Sequence, residues 1–515
     1  MWTWVVIIAG ALAVATAYGG VARADESQAW KWCVNEAKDS PDLQISGCTT
    51  VIQSGRETAK NIAIAFNNRG NAWHAKKDYD HAIQDYDQAI KLDPNYARAY
   101  FNRGISYADK HMDERAIQDY DQAISLSPRY AHAYGNRGLA YAHKGDLDHA
   151  IKDYSQAITF DPNNAAYYDN RGNAYYDKKD YDHAIADYRQ AVKLDPDDAS
   201  AFNNLGNALY ARKDFDGAIL QYSQAIRIDP KYGVAFANRG RAYREKGDTD
   251  SALDNYMQAV KLDPDNPRTL NDRGNAYHAN KQYDLAIADY TRAIALDHNY
   301  AFPYNNRGIT YSNQGDYDKA IADYDQAIRI DANYAEAYNN RGFAYARKKD
   351  WDHAIADYGK ALELNPTFVR ALNNRADAYE EQNQYDKAIA DYDRVIRAEP
   401  KNASAWNSRC WARAIVGANL NGALDDCNES LHWRPDSANT FDSRALVNLK
   451  LGDLDAALAD YDKALSLDPK LATSLYGRAI VKQKKGDSAG ADADMAAAKA
   501  LRADIVDEWA KYRVK

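Results

Sequence analysis

The chain has 515 residues, a formal net charge of −9, 40 tyrosines and four cysteines. An acidic balance without a basic stripe excludes nucleic acid as the expected partner. No Gly-rich phosphate loop, H-E-x-x-H motif or Cys/His ligand cluster is present, which argues against an enzyme and against a cofactor or metal.

At the N-terminus, Val5 to Ala17 is a short apolar run followed by Ala22-Arg23-Ala24, an A-x-A cleavage pattern. The run is too short to span a bilayer comfortably. Residues 1–24 are therefore expected to be a signal peptide, and no stable membrane span is expected after its removal. No Lys or Arg precedes the run, so an uncleaved inner-membrane anchor is the alternative to a periplasmic or secreted chain. No cysteine follows the run closely enough for a lipoprotein.

Residues 25–62 read as a degenerate opening unit containing Cys33 and Cys48. From Ala63 a repeat begins, and an Arg-Gly step measures its period. The step falls at Arg69, Arg103, Arg137 and Arg171, and continues through Leu205, Arg239, Arg273, Arg307, Arg341, Arg375 and Arg409, then Arg444 and Arg478. A fixed period of this length signals a stacked array of supersecondary units. Phe66, Gly70 and Trp73 share one helix face, as do Ala82, Tyr86 and Ala89 after the break at Lys77 to Asp80. Asp93-Pro94 then stops the second helix. Gly70 and Ala82 are expected where the two helices cross, and Phe66, Trp73 and Tyr86 where the next unit must be filled. Each unit is thus a helix-turn-helix, and the fold class is all-α.

Large aromatic, x2, Arg-Gly, x2, Tyr/Trp, followed by Ala-x3-Tyr and a terminal Pro, resembles the tetratricopeptide repeat (TPR) family, here as an exported, bacterial-type multi-repeat protein. The resemblance implies a right-handed α-solenoid, or superhelix, of about thirteen 34-residue units over residues 63–505. Its concave groove would bind other proteins. Leu501, Ile505, Trp509 and Tyr512 lie at helical spacing and predict a capping helix whose end covers residues 506–515.

The family usually has Leu before the Gly, whereas this chain has Arg in all units but one. A packed arginine needs a partner, and the second helices offer Asp85 and its equivalents. The unit with Leu205 has Gln221 in the Asp position, so both charges vanish together. Structural ion pairs within each unit, as between Arg69 and Asp85, follow. Arg239 faces Asn255 and is the exception. The preceding Asn68, Asn102 and their equivalents are read as structural. Cys410 and Cys427 replace facing small and aromatic positions of the eleventh unit, and Cys33 and Cys48 have a similar separation. The repeat register favours two disulfides, each within one unit. Buried free thiols are the alternative.

In the family the first helices line the groove. The matching positions, two before and two after each arginine, are Asn67, Asn71, Asn203, Asn207, Asn271, Asn275, Asn305 and Asn339, which suit a peptide backbone. Apolar replacements at Phe101, Ile105 and Leu139, at Ile309 and Phe343, and at Trp411 suggest partner sites or packing between neighbours. No unit has the lysine with which the chaperone-binding subclass clamps a carboxylate. The reading is a non-enzymatic protein-protein interaction scaffold. The alternative is a periplasmic component of an envelope polysaccharide or secretion assembly. It would contact glycan through Tyr168, Tyr176, Tyr210 or Trp411, or bridge membrane partners.

Overall fold

The computed structural model describes residues 24–35, 40–417 and 419–512, so the expected signal segment falls outside them save for Ala24. Among the described residues are 29 α-helices and no strand. None of these helices is long and apolar enough to cross a membrane.

One repeat shows why the sequence folds this way. Thr58 caps the helix Ala59–Ala75 by accepting from the Asn61 N–H. The chain turns at Lys77, whose φ is +62°. Asp78 then accepts from the His81 N–H and starts the helix Tyr79–Leu92. The left-handed step recurs at Lys179, Lys213, Lys281 and Lys349, while Gly145, Gly247 and Gly315 take it elsewhere. Glycine adopts this conformation without the steric cost a side chain meets.

The two helices of a repeat touch through glycine and tyrosine. A Cβ on Gly70 would stand 2.6 Å from Tyr86 Cε1, and one on Gly206 2.5 Å from Tyr222 Cε1. Tyr86 therefore fills its own repeat rather than the next one, which corrects the expectation from the sequence. Its hydroxyl donates to Asn71 Oδ1 of the same repeat at 2.9 Å. Stacking between repeats sets small groups against larger ones, as where Ala63, Ala89 and Ala99 meet Phe66, Ile90 and Tyr96. No repeat buries its own apolar face; the next one covers it.

The chain divides into two compact bodies, one ending at Pro264 and one beginning at Asp265. The first holds the opening pair Ala24–Val34 and Pro41–Gln53, then the repeats from Ala59–Ala75 to Thr249–Leu262. The second holds the repeats from Pro267–Ala279 to Ser488–Leu501, then a separate helix Ile505–Lys511. Within each body successive helices pack in chain order, as in an α-solenoid. Leu501 was expected to join the cap, yet it ends the preceding helix and stays 47% exposed. The chain breaks over residues 502–504, and the cap is made by Ile505, Trp509 and Tyr512, all buried.

Candidate functional site on the first-helix face

The repeat arginine makes up to three bonds. Arg69 Nε and Nη2 donate to Asp85 Oδ2 and Oδ1 at 2.8 and 2.7 Å. The same fork joins Arg171 to Asp187, Arg273 to Asp289 and Arg307 to Asp323. Bonds from Asp289 and Asp323 raise Arg273 and Arg307 above the ordinary arginine value, against desolvation. Arg239 donates to Asn255 Oδ1 instead, at 2.8 Å. The third bond is one the sequence reading missed. Nη1 of Arg171 reaches Ser155 of the preceding repeat, Arg307 reaches Thr291 and Arg341 reaches Asp325. The signal was present in the sequence: a polar residue sixteen positions before the arginine.

Beside the arginines runs a ladder of amides. Asn102 Nδ2 donates to Asn67 Oδ1 of the previous repeat at 2.8 Å and to Asn71 Oδ1 at 3.0 Å. Asn238 does the same to Asn203 and Asn207. Asn306, Asn340 and Asn374 reach back to Asn271, Asn305 and Asn339, each at 3.0 Å. Tyr222 and Tyr290 donate to Asn207 and Asn275. These bonds correct the groove assignment for one set of positions. Asn67, Asn203, Asn271, Asn305 and Asn339, two before the arginine, are buried with their acceptors already engaged. A peptide backbone arriving there would have to break protein bonds to make its own. Asn71, Asn207 and Asn275, two after the arginine, are half-buried.

Phe101, Ile105 and Leu139 are likewise buried and do not form an open surface. Phe101 lies 4.8 Å from the Tyr130 ring and 5.9 Å from the Tyr120 ring, in place of a ladder amide. In the following repeat the Asn136 amide donates to the His132 carbonyl of its own helix.

An open stretch of the face lies in the second body. Ile309, Phe343 and Arg370 line a cleft of about 240 Å³, and Phe302, Ile309 and Arg370 line an adjoining one of about 590 Å³. Phe343 is 44% exposed and Phe302 54%, the latter between the rings of Tyr300 and Tyr334 at 5.7 and 5.4 Å. Phe302 and Arg370 were not singled out from the sequence. Both stand five before their repeat arginine, a position held by residues as different as Arg98, Ala166, Val234 and Glu336. Such variety marks a solvent-facing site, and an aromatic there is exposed.

Models of the TPR repeat match residues 70–110, 113–145, 138–178, 172–213, 206–243, 240–281, 274–315, 310–349 and 420–486, and the tetratricopeptide repeat model matches 335–368 and 369–402. The chain belongs to the tetratricopeptide repeat family. No curated protein matches it. Among solved structures it is similar to the MamA protein, at 30% identity and TM-score 0.30, over 33% of this chain and 92% of that one. It is also similar to YrrB, titled a TPR protein with an unusual peptide-binding site, at 24% identity and TM-score 0.31, over 36% and 95%. The Cut9-Hcn1 assembly of the APC/C matches at 14% identity and TM-score 0.40, over 88% and 96%.

In the last repeats of this TPR protein the face is covered. Trp411 meets Tyr512 of the terminal helix edge-on, with centroids 5.0 Å apart, and Tyr476 meets Trp509 at 5.3 Å. Trp411 is therefore a packing residue rather than an open binding one. The other rings considered for glycan are half-buried and engaged. Tyr168 faces Arg171 at 5.9 Å, Tyr176 meets Tyr181 and Tyr210 meets Phe215. Both cysteine pairs stand at disulfide distance, Cys33–Cys48 at 2.06 Å and Cys410–Cys427 at 2.00 Å.

Proposed function

We propose that this TPR protein is a non-catalytic scaffold that holds helical or extended segments of partner proteins on its first-helix face. The observation that carries the reading is the apolar stripe of exposed Phe302 and Phe343 with half-buried Ile309, beside a row of amides already bonded to one another. An exposed apolar patch rimmed by polar groups commonly marks a protein interface. A preformed cleft loses little entropy on capture. The two disulfide-distance pairs support an oxidising compartment, periplasmic or extracellular.

The test is affinity capture from a native envelope extract, comparing the chain with its Phe343→Asp variant. A protein retained by the first and lost by the second is the expected result. Identical capture by both would remove the stripe from the binding surface. Alkylation of cysteines in intact cells, followed by mass analysis, reports the compartment: four blocked thiols would contradict export.

A further inference from the structure

The stripe at Ile309 and Phe343 has a filled counterpart in the same body. Both residues stand two after their repeat arginine, and so do Trp411, Leu446 and Ile480. The latter set lies under the terminal helix, where Leu446 is buried, Trp411 meets Tyr512, and Ile480 packs against the cluster that holds Trp509 and Tyr512. The occupant reads Ile505-Val-Asp-Glu-Trp-Ala-Lys-Tyr512, two large aromatics with carboxylates on the adjoining turn. At Ile309 and Phe343 no described residue plays this part. Arg370 lines both clefts there, shares the larger with Asp331 and Glu336, is exposed, and has no ion-pair partner among the described residues.

We infer that the surface formed by Phe302, Ile309 and Phe343 with Arg370 docks an amphipathic helical segment of another protein that carries a large aromatic beside a carboxylate. The inference rests on the scaffold reading and adds the chemistry of the partner. An aromatic ring fills the cleft between Ile309 and Phe343, as Trp509 and Tyr512 fill theirs. The carboxylate meets the unpaired guanidinium in a charge-assisted bond. The chain's own terminal helix shows that repeat-equivalent positions accept the aromatic side of such a segment, while its Glu508 pairs with Arg502.

The experiment uses the full chain and, as probe, a fluorescein-labelled peptide of residues 501–515 added in trans. Saturable binding that weakens at least tenfold in Phe343→Asp and in Arg370→Glu is expected. Both residues are exposed, and an unchanged thermal melt verifies the fold of each variant. A probe carrying Asp507→Lys and Glu508→Lys is expected to bind the native chain at least tenfold more weakly and to recover on the Arg370→Glu chain. Absence of saturable binding overturns the proposal, as does binding indifferent to both variants. Loss in Trp411→Ala but not in Phe343→Asp also overturns it, because the probe is then exchanging with the terminal helix. Self-association abolished by Phe343→Asp would assign the surface to a second copy and overturn the proposal equally. If extract capture depends on Phe343 while the charge-swapped probe fails to respond to Arg370→Glu, the scaffold reading stands and only this partner chemistry falls.

Discussion

The first helices of this array are sealed in two different ways. In repeats such as those of Asn102, Asn238 and Asn340, an amide of one first helix reaches back to an amide of the one before. In the last three repeats the stripe is hydrocarbon and aromatic, and the helix Ile505–Lys511 lies over it. The amide seal links neighbouring repeats wherever the asparagines recur and leaves little for a ligand to take. The apolar seal works only where the chain supplies a cover. The repeats of Arg307 and Arg341 combine both, with a closed ladder beside an uncovered stripe, and that combination makes them the candidate site.

The contrast can be broken at its strongest point first. Trp509→Ala removes a buried aromatic from the covering helix and should cost roughly 3–5 kcal/mol locally. Hydrogen exchange should then show lost protection in the Trp411 and Tyr476 helices, with the amide-laddered repeats unchanged. Uniform loss across the array would mean the two regions are not independent.

Two buried aspartates sharpen the comparison, since each stands two before its arginine in one of the two settings. Asp169, in the laddered region, accepts from Asn204 and Asn173 at 3.1 and 3.2 Å. Burial pushes its carboxyl up to about 7. Asp442, in the covered region, accepts from Ser474 and Thr473, and burial pushes it up to about 6. An unfolded aspartate titrates near 4, so the folded state holds its proton more tightly. The resulting stability is full below about pH 4 and is lost as pH rises through about 7 for Asp169 and about 6 for Asp442. Asp169→Asn restores the ladder amide and should stabilise the first body by roughly 1–3 kcal/mol at pH 8, with no gain at pH 4. Denaturant unfolding across that range measures it, and a variant still as pH-dependent as the native chain would refute the assignment.

Smaller effects follow at single bonds. Asn340→Ala leaves the Asn305 acceptor without this bond and should cost roughly 1–2 kcal/mol, read as lost amide protection in the two helices that carry the rung. Smallest of all, Lys179→Gly relieves a left-handed turn residue at φ +62° and should add roughly 0.5 kcal/mol. Its melting temperature should rise slightly, while the same change at a right-handed position would lower it.

The period, the helix pairs and their polarity were legible because Gly70, Tyr86 and Asp93-Pro94 recur with a strict local cause each. The choice of open positions was not. Residues five before and two after the arginine are seven apart, so they fall within about 20° of one another on a helix of 3.6 residues per turn. The residue two before lies some 40–60° round from both, toward the neighbouring repeat. That modest rotation separates the sealed Asn305 and Asn339 from the open Ile309 and Phe343. It depends on how closely adjacent first helices approach, which one repeat read alone does not contain. The arginine's second partner was hidden for a related reason: pairing it with one acid seemed sufficient, while its geometry leaves Nη1 free for a further bond.

That third bond gives the array a direction. In ten repeats the spare Nη1 turns to a residue earlier in the chain, from Thr49 for Arg69 to Asp462 for Arg478. A polypeptide that emerges N-terminus first, from a ribosome or a translocation pore, therefore presents each acceptor before the guanidinium that needs it. Each of these helix pairs docks against a surface already in place, and in the first body the opening pair closed by Cys33 and Cys48 is the surface from which that succession starts.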